Sequence, residues 1–143
     1  MPRPFHVGIV VGDFHRELAA AMVASARAEA ARLGVDVPVV IQVPGSYETP
    51  LVADALLARE SIDALVVLGY IERGETLHGE VMGHTVHHAI VQLQLQHKKP
   101  IGVGIIGPGA TLAQAEARKE AYAAAALRAA VRSLEALASV GAR

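Results

Sequence analysis

The chain has 143 residues, 52% of them apolar, with 13 Lys and Arg against 14 Asp and Glu. That suffices for a single domain over 1–143 with a real core, and it leaves no charge excess to engage nucleic acid or an acidic membrane surface. Cysteine is absent, which excludes a disulfide scaffold and a thiolate nucleophile.

Met1-Pro2-Arg3-Pro4 runs straight into an apolar segment, with no hydrophobic stretch and cleavage site of a secretory signal. The apolar runs are too short to span a bilayer, so a cytoplasmic protein is expected. In chain order, His6–Val11 is a first strand and Arg16–Leu33 a helix closed by Gly34. Val37–Val43 is a second strand, followed by a helix from Pro50 to about Glu60. Ala64–Leu68 is a third strand, and a helix follows from about Gly79 to Gln96. Ile101–Ile106 is the fourth strand, and Leu112–Ala138 is helical in one or two pieces. Continuous β-branched apolar runs read as strands buried on both faces. Their alternation with helices predicts an α/β fold: a three-layer α/β/α arrangement of a four-stranded parallel sheet in the flavodoxin-like order 2-1-3-4.

In such sheets ligands bind beyond the carboxyl ends of the strands. Four loops should therefore build the site: Gly12–His15, Pro44–Glu48, Gly69–His78 and Gly107–Thr111. Gly74-Glu75-Thr76 before a helix offers backbone N–H groups and a hydroxyl to an anion, or Thr76 simply caps that helix. Arg73 lies beside that anion site, or instead pairs with a carboxylate. His78 at the helix start is a candidate base, or an exposed histidine. Arg118 can grip a phosphate bidentately, or lie in a charged helix face. Phe14 offers a stacking face or staples the helix after it. Glu48 accepts hydroxyl donors or favours the helix dipole.

Two other patterns invite different readings. Gly102-x-Gly104-x-x-Gly107 fits a dinucleotide fingerprint in spacing, but its glycines lie inside a strand and Pro108 follows at once. His84, His87 and His88 could hold a metal from one helix face, or form a polar stripe; partners elsewhere are not evident.

Three ordered segments resemble the lumazine synthase family over nearly the whole chain. Val43–Pro50 resembles its VPG-[AS]-[FY]-E-[IL]-P segment. Leu68-Gly69 with Arg73–His78 resembles its LG…RGxTxH segment. Thr111–Arg118 resembles its T-x-x-QA-x-x-R region. The resemblance implies condensation of 5-amino-6-(D-ribitylamino)uracil with 3,4-dihydroxy-2-butanone 4-phosphate, without metal or cofactor. It implies that Phe14 stacks on the pyrimidine and that Ser46, Tyr47 and Glu48 bind the ribityl chain. Tyr70 and Ile71 sit where the family's backbone lines the pyrimidine. Gly74, Glu75 and Thr76 fall in the phosphate loop, with Arg118 as its clamp and His78 as the proton-transfer residue. Arg73 becomes a structural partner.

The chain also departs from the family pattern. His15 stands where Asn is common, Gly79-Glu80 replaces an aromatic and Asp, and Val103 replaces an aromatic. Gly107-Pro108-Gly109-Ala110 is one residue longer than the usual loop. These departures keep open a non-catalytic member that binds lumazine or flavin, or acts as a scaffold. The family's sites form between adjacent subunits of a homopentamer, whose third helix lines the five-fold channel. The short N-terminal arm, and continuous good helix at Lys119–Ala124, imply a free pentamer or a decamer rather than a shell.

Overall fold

The computed structural model describes residues 3–141; Met1 and Pro2 of the short arm, and the last two positions of the expected domain, lie outside the described residues. The strands are β1 (Val7–Gly12), β2 (Val40–Val43), β3 (Ala64–Glu72) and β4 (Ile101–Ala110). The helices are α1 (Arg16–Leu33), α2 (Thr49–Leu57), α3 (His78–His97) and α4 (Leu112–Ser139), with a short 3-10 turn over Ser46–Glu48. All strand pairs are parallel and their order is β2-β1-β3-β4, as the sequence pattern predicts.

Alternation within the strands sorts the core into two layers. Ile9, Val11, Val66 and Leu68 face α1 and α4, meeting Met22, Ala26, Ala123 and Leu127. Val10, Leu65 and Val67 face the other way, meeting Leu56 and Leu57 of α2 and Val86 and Ile90 of α3. Each face of the sheet is thus covered by two helices.

Helix ends follow local chemistry. Gly34 adopts a left-handed φ of 70° and its N–H reaches Ala30 O and Ala31 O, closing α1 as expected. Thr111 and Gln114 form a reciprocal capping box at the start of α4. From that start α4 runs unbroken for 28 residues, in one piece. Its seat is a close approach to β4. A Cβ on Gly102 would run into the Ala126 carbonyl, and one on Gly104 would stand 3.1 Å from Ala126 Cβ. The spaced glycines therefore serve helix–strand packing rather than a nucleotide.

Some boundaries differ from expectation. β2 starts at Val40 rather than Val37, because Pro38 brings no N–H; Val39 O still accepts from Ile9 N at 3.0 Å. α2 stops at Leu57 rather than about Glu60, where Lys99 Nζ takes up the carbonyls of Leu57 and Arg59 at 2.8 and 2.9 Å. β3 and β4 run four residues past their expected ends, to Glu72 and Ala110, because they stay paired there.

A buried carboxylate ties α1 to α4. Glu29 accepts from Arg32 Nε and Nη2 at 2.9 and 2.6 Å, and from Arg128 Nη1 at 3.1 Å. These bonds, that from Arg32 foremost, hold the Glu29 carboxyl down at about 2, against an ordinary 4.5. A depressed carboxyl contributes stability that is complete above the unfolded-state value and fades as pH falls through the folded-state value. The stability lost between about pH 5 and pH 2 should therefore be smaller in Glu29→Gln than in the parent, by urea midpoints measured across that range. Parallel pH curves for the two proteins would refute the assignment.

Candidate active site

The loops after β1, β2 and β3 meet at the carboxyl edge of the sheet around a cavity of about 340 Å³. Phe14, Ser46, Tyr70, Ile71, Gly74, Thr76 and His78 line it, so seven of the residues read from sequence converge. Gly12, His15, Gly45, Glu72, Gly79 and Met82 complete the wall.

Phe14 is 77% exposed, and its ring stands at 74° to that of His15 with centroids 5.2 Å apart. One ring face is thus free for a planar ligand. Ser46 is buried and its carbonyl accepts from Thr49 Oγ1 at 2.7 Å, which fixes the turn into α2. Tyr47 and Glu48 are exposed beside that turn and outside the cavity wall; Tyr47 reaches His78 edge-on, with centroids 6.2 Å apart.

Tyr70 and Ile71 are buried in the last turn of β3 pleating. The Tyr70 hydroxyl donates to Ala110 O at 2.8 Å. Burial first, and the Glu72 carboxylate second, push this phenol above its ordinary value, so it remains a neutral donor. The following loop carries Gly74, Glu75 and Thr76. Leu77, not Thr76, is the N-cap of α3; Thr76 Oγ1 accepts from His78 N at 3.3 Å just ahead of the helix and lines the cavity. Glu75 is not part of the cavity wall; with Arg73 it lines two adjoining clefts.

Arg73 corrects an expectation. It is exposed, and no carboxylate pairs with its guanidinium among the described residues; its backbone N–H is what holds the loop, donating to Ala110 O at 3.0 Å. Arg118 is not brought to His78 within one chain. It lines a different cleft with Gly107–Ala110, Gln114 and Tyr122, and its Nη1 donates to Gln114 O of its own helix at 3.1 Å.

The metal alternative finds no partners: among the described residues no three His, Asp or Glu side chains converge as a metal would require. His84 and His88 are exposed on α3, and His87 Nδ1 meets Gly83 O at 2.7 Å. No helix among the described residues is long and apolar enough to cross a membrane.

His15 and Glu72 were not among the residues assigned from sequence. His15 could have been found, since it sits in the first strand-end loop directly after Phe14. Glu72 also lies in a nominated strand-end loop, Gly69–His78, but nothing in the sequence showed that it would meet His15; the structure places it at the end of β3.

The profile of the 6,7-dimethyl-8-ribityllumazine synthase family matches residues 4–138. The 6,7-dimethyl-8-ribityllumazine synthase of Metallosphaera sedula is 41% identical over 126 residues, covering 88% of this chain and 83% of that protein. The enzyme of the same name from Saccharolobus solfataricus is 40% identical over 133 residues, covering 93% and 86%. That from Staphylothermus marinus is 40% identical over 123 residues, covering 86% and 82%. A cavity walled by Phe14, the Gly74–Thr76 loop and His78 thus occurs in a chain that belongs to the 6,7-dimethyl-8-ribityllumazine synthase family.

Proposed function

We propose that the protein condenses 5-amino-6-(D-ribitylamino)uracil with 3,4-dihydroxy-2-butanone 4-phosphate to 6,7-dimethyl-8-ribityllumazine, releasing phosphate and water, as the penultimate step of riboflavin biosynthesis. The observation that carries this, beside family membership, is that Phe14, Ser46, Thr76 and His78 share one cavity. The reaction joins an amine to a ketone, expels phosphate and closes a ring. Holding both reactants in one pocket supplies much of the rate.

On this reading Phe14 stacks on the pyrimidine, and the backbone at Tyr70 and Ile71 lines its edge. Ser46, Tyr47 and Glu48 hold the ribityl hydroxyls. The Gly74-Glu75-Thr76 loop holds the phosphate of the second substrate at the start of α3, where backbone N–H groups favour an anion. His78 takes the proton from the attacking amine and returns it to the leaving oxygen.

Arg118 acts from a neighbouring subunit, which accounts for its distance from His78 in a single chain. The assembly is a homopentamer, free or paired as a decamer, working in the cytoplasm on small molecules alone. An exposed stripe on and just ahead of α3 supports it: Leu77, Val81, His84, His88, Val91 and Leu95 recur at alternating four- and three-residue steps. Such spacing is the seam of a helix that packs against copies of itself. Light scattering should give the mass of five or ten chains; a monomer or a megadalton particle refutes this assembly.

The deciding experiment supplies both substrates and follows lumazine by absorbance and fluorescence; no product refutes the enzyme reading. With activity in hand, Arg118→Ala should raise KM for the phosphate substrate about 10–100-fold, the worth of a charge-assisted contact. The KM for the pyrimidine should change much less. Equal effects on both substrates would remove Arg118 from the phosphate.

A further inference from the structure

His15 Nε2 is the one buried side-chain polar atom among the described residues with no hydrogen-bond partner. A buried unpaired nitrogen costs free energy and calls for an explanation. This one belongs to a residue of the cavity wall. Its ring is held between Tyr70, centroids 4.8 Å apart, and Phe14. Tyr70 is itself tied to Ala110 O, so that side of His15 is a fixed surface.

Glu72 Oε2 lies 3.8 Å from His15 Nε2. That is too far for a hydrogen bond but within about 1 Å of one. Glu72 lines the same cavity, with its side chain 51% exposed, beyond the irregularity that breaks the β3–β4 register between Tyr70 and Glu72. The two residues come from the loop after β1 and the end of β3, the two central strands of the sheet.

We propose that His15 and Glu72 close into a hydrogen-bonded pair when a ligand fills the cavity, and that the Glu72 carboxylate so fixed accepts an N–H or O–H donor of the pyrimidine substrate. Glu72 is then a binding residue, and His15 is a positioning residue acting through it. A ligand stacked on Phe14 displaces water from Glu72, and the lower local dielectric strengthens its attraction to the imidazole N–H. One carboxylate oxygen accepts a hydrogen bond from Nε2–H and the other remains to accept from the ligand. The pairing removes the unsatisfied nitrogen and specifies a donor-bearing heterocycle in a largely apolar pocket. This inference rests on the proposed reaction and adds a specificity element to it.

The test uses the full chain with His15→Ala, His15→Asn, Glu72→Gln and the double variant His15→Ala with Glu72→Gln. His15→Ala and Glu72→Gln should each raise KM for the pyrimidine substrate roughly tenfold, the lower end of what a charge-assisted contact gives. The KM for the phosphate substrate should move much less. The double variant should be no worse than either single, because the two act as one unit. His15→Asn, which keeps a donor, should recover part of the loss.

The spectroscopic signature is the imidazole ¹⁵N spectrum. Adding 6,7-dimethyl-8-ribityllumazine should move the His15 Nε2 resonance in the parent and leave it in place in Glu72→Gln. Additive KM effects, unchanged KM values or an unmoved resonance overturn the pair while leaving the reaction intact. A parent protein that makes no lumazine overturns both.

Discussion

Alanine in place of His78 is expected to slow lumazine formation on the order of 10²-fold, the lower end of what a positioned general acid–base group supplies. The lower end applies because holding the two reactants together would persist in the variant. His78 is the first residue of α3, is exposed, and touches Tyr47 edge-on. The bond between its backbone N–H and Thr76 Oγ1 does not depend on the side chain. Alanine is also a better helix former than histidine, so the fold should be kept. Steady-state kinetics checks the rate, and an unchanged thermal midpoint confirms the folding. The pH dependence of kcat should flatten in the variant. A variant at the parent's rate would take proton transfer away from His78.

The largest expected loss of stability comes from Gly102→Val. Any Cβ there meets the backbone carbonyl of Ala126, which cannot swing aside as a side chain can. α4 must lift from β4, and Ala126, Leu127 and Ala130 lose contacts in the layer that buries them. Overpacking that forces backbone to move costs on the order of 3 kcal/mol, a large share of a domain's total stability. The urea midpoint should fall accordingly. Gly74→Ala is the control: no atom lies within 4 Å of its added Cβ, and the midpoint should stay near the parent's. A tolerant Gly102→Val would mean that α4 is not seated as described.

The sheet order was legible because each strand is an apolar run with a helix-length gap after it, and β1 and β3 are buried on both faces as such runs require. Of the four loops that the carboxyl-edge rule nominated, those after β1, β2 and β3 line the cavity, and Gly107–Thr111 lies outside its wall. What stayed hidden was hidden for physical reasons. Gly107-Pro108-Gly109-Ala110 reads as a turn, yet it continues β4 because Ala110 O receives both Arg73 N and the Tyr70 hydroxyl. Among the described residues no carboxylate meets the Arg73 guanidinium, and the loop is anchored by its backbone N–H instead. Adjacency in sequence says nothing of whether two ends of different strands meet, so the His15–Glu72 approach could emerge only with the β1–β3 pairing in place. Arg118 shows the opposite limit: its motif spacing was clear, but a single chain leaves it in a separate cleft.

β1 and β3 are each hydrogen-bonded on both edges, by β2 and β4 on their outer sides and by one another between. Amides in such a central pair exchange with solvent only when the whole sheet opens. Phe14 and His15 grow from the end of one, and Glu72 with the loop to His78 grows from the end of the other. The roots of the cavity are therefore as persistent as the molecule itself. On warming, ligand affinity and the folded state should disappear together, without an intermediate range in which a native-looking protein has already lost its pocket.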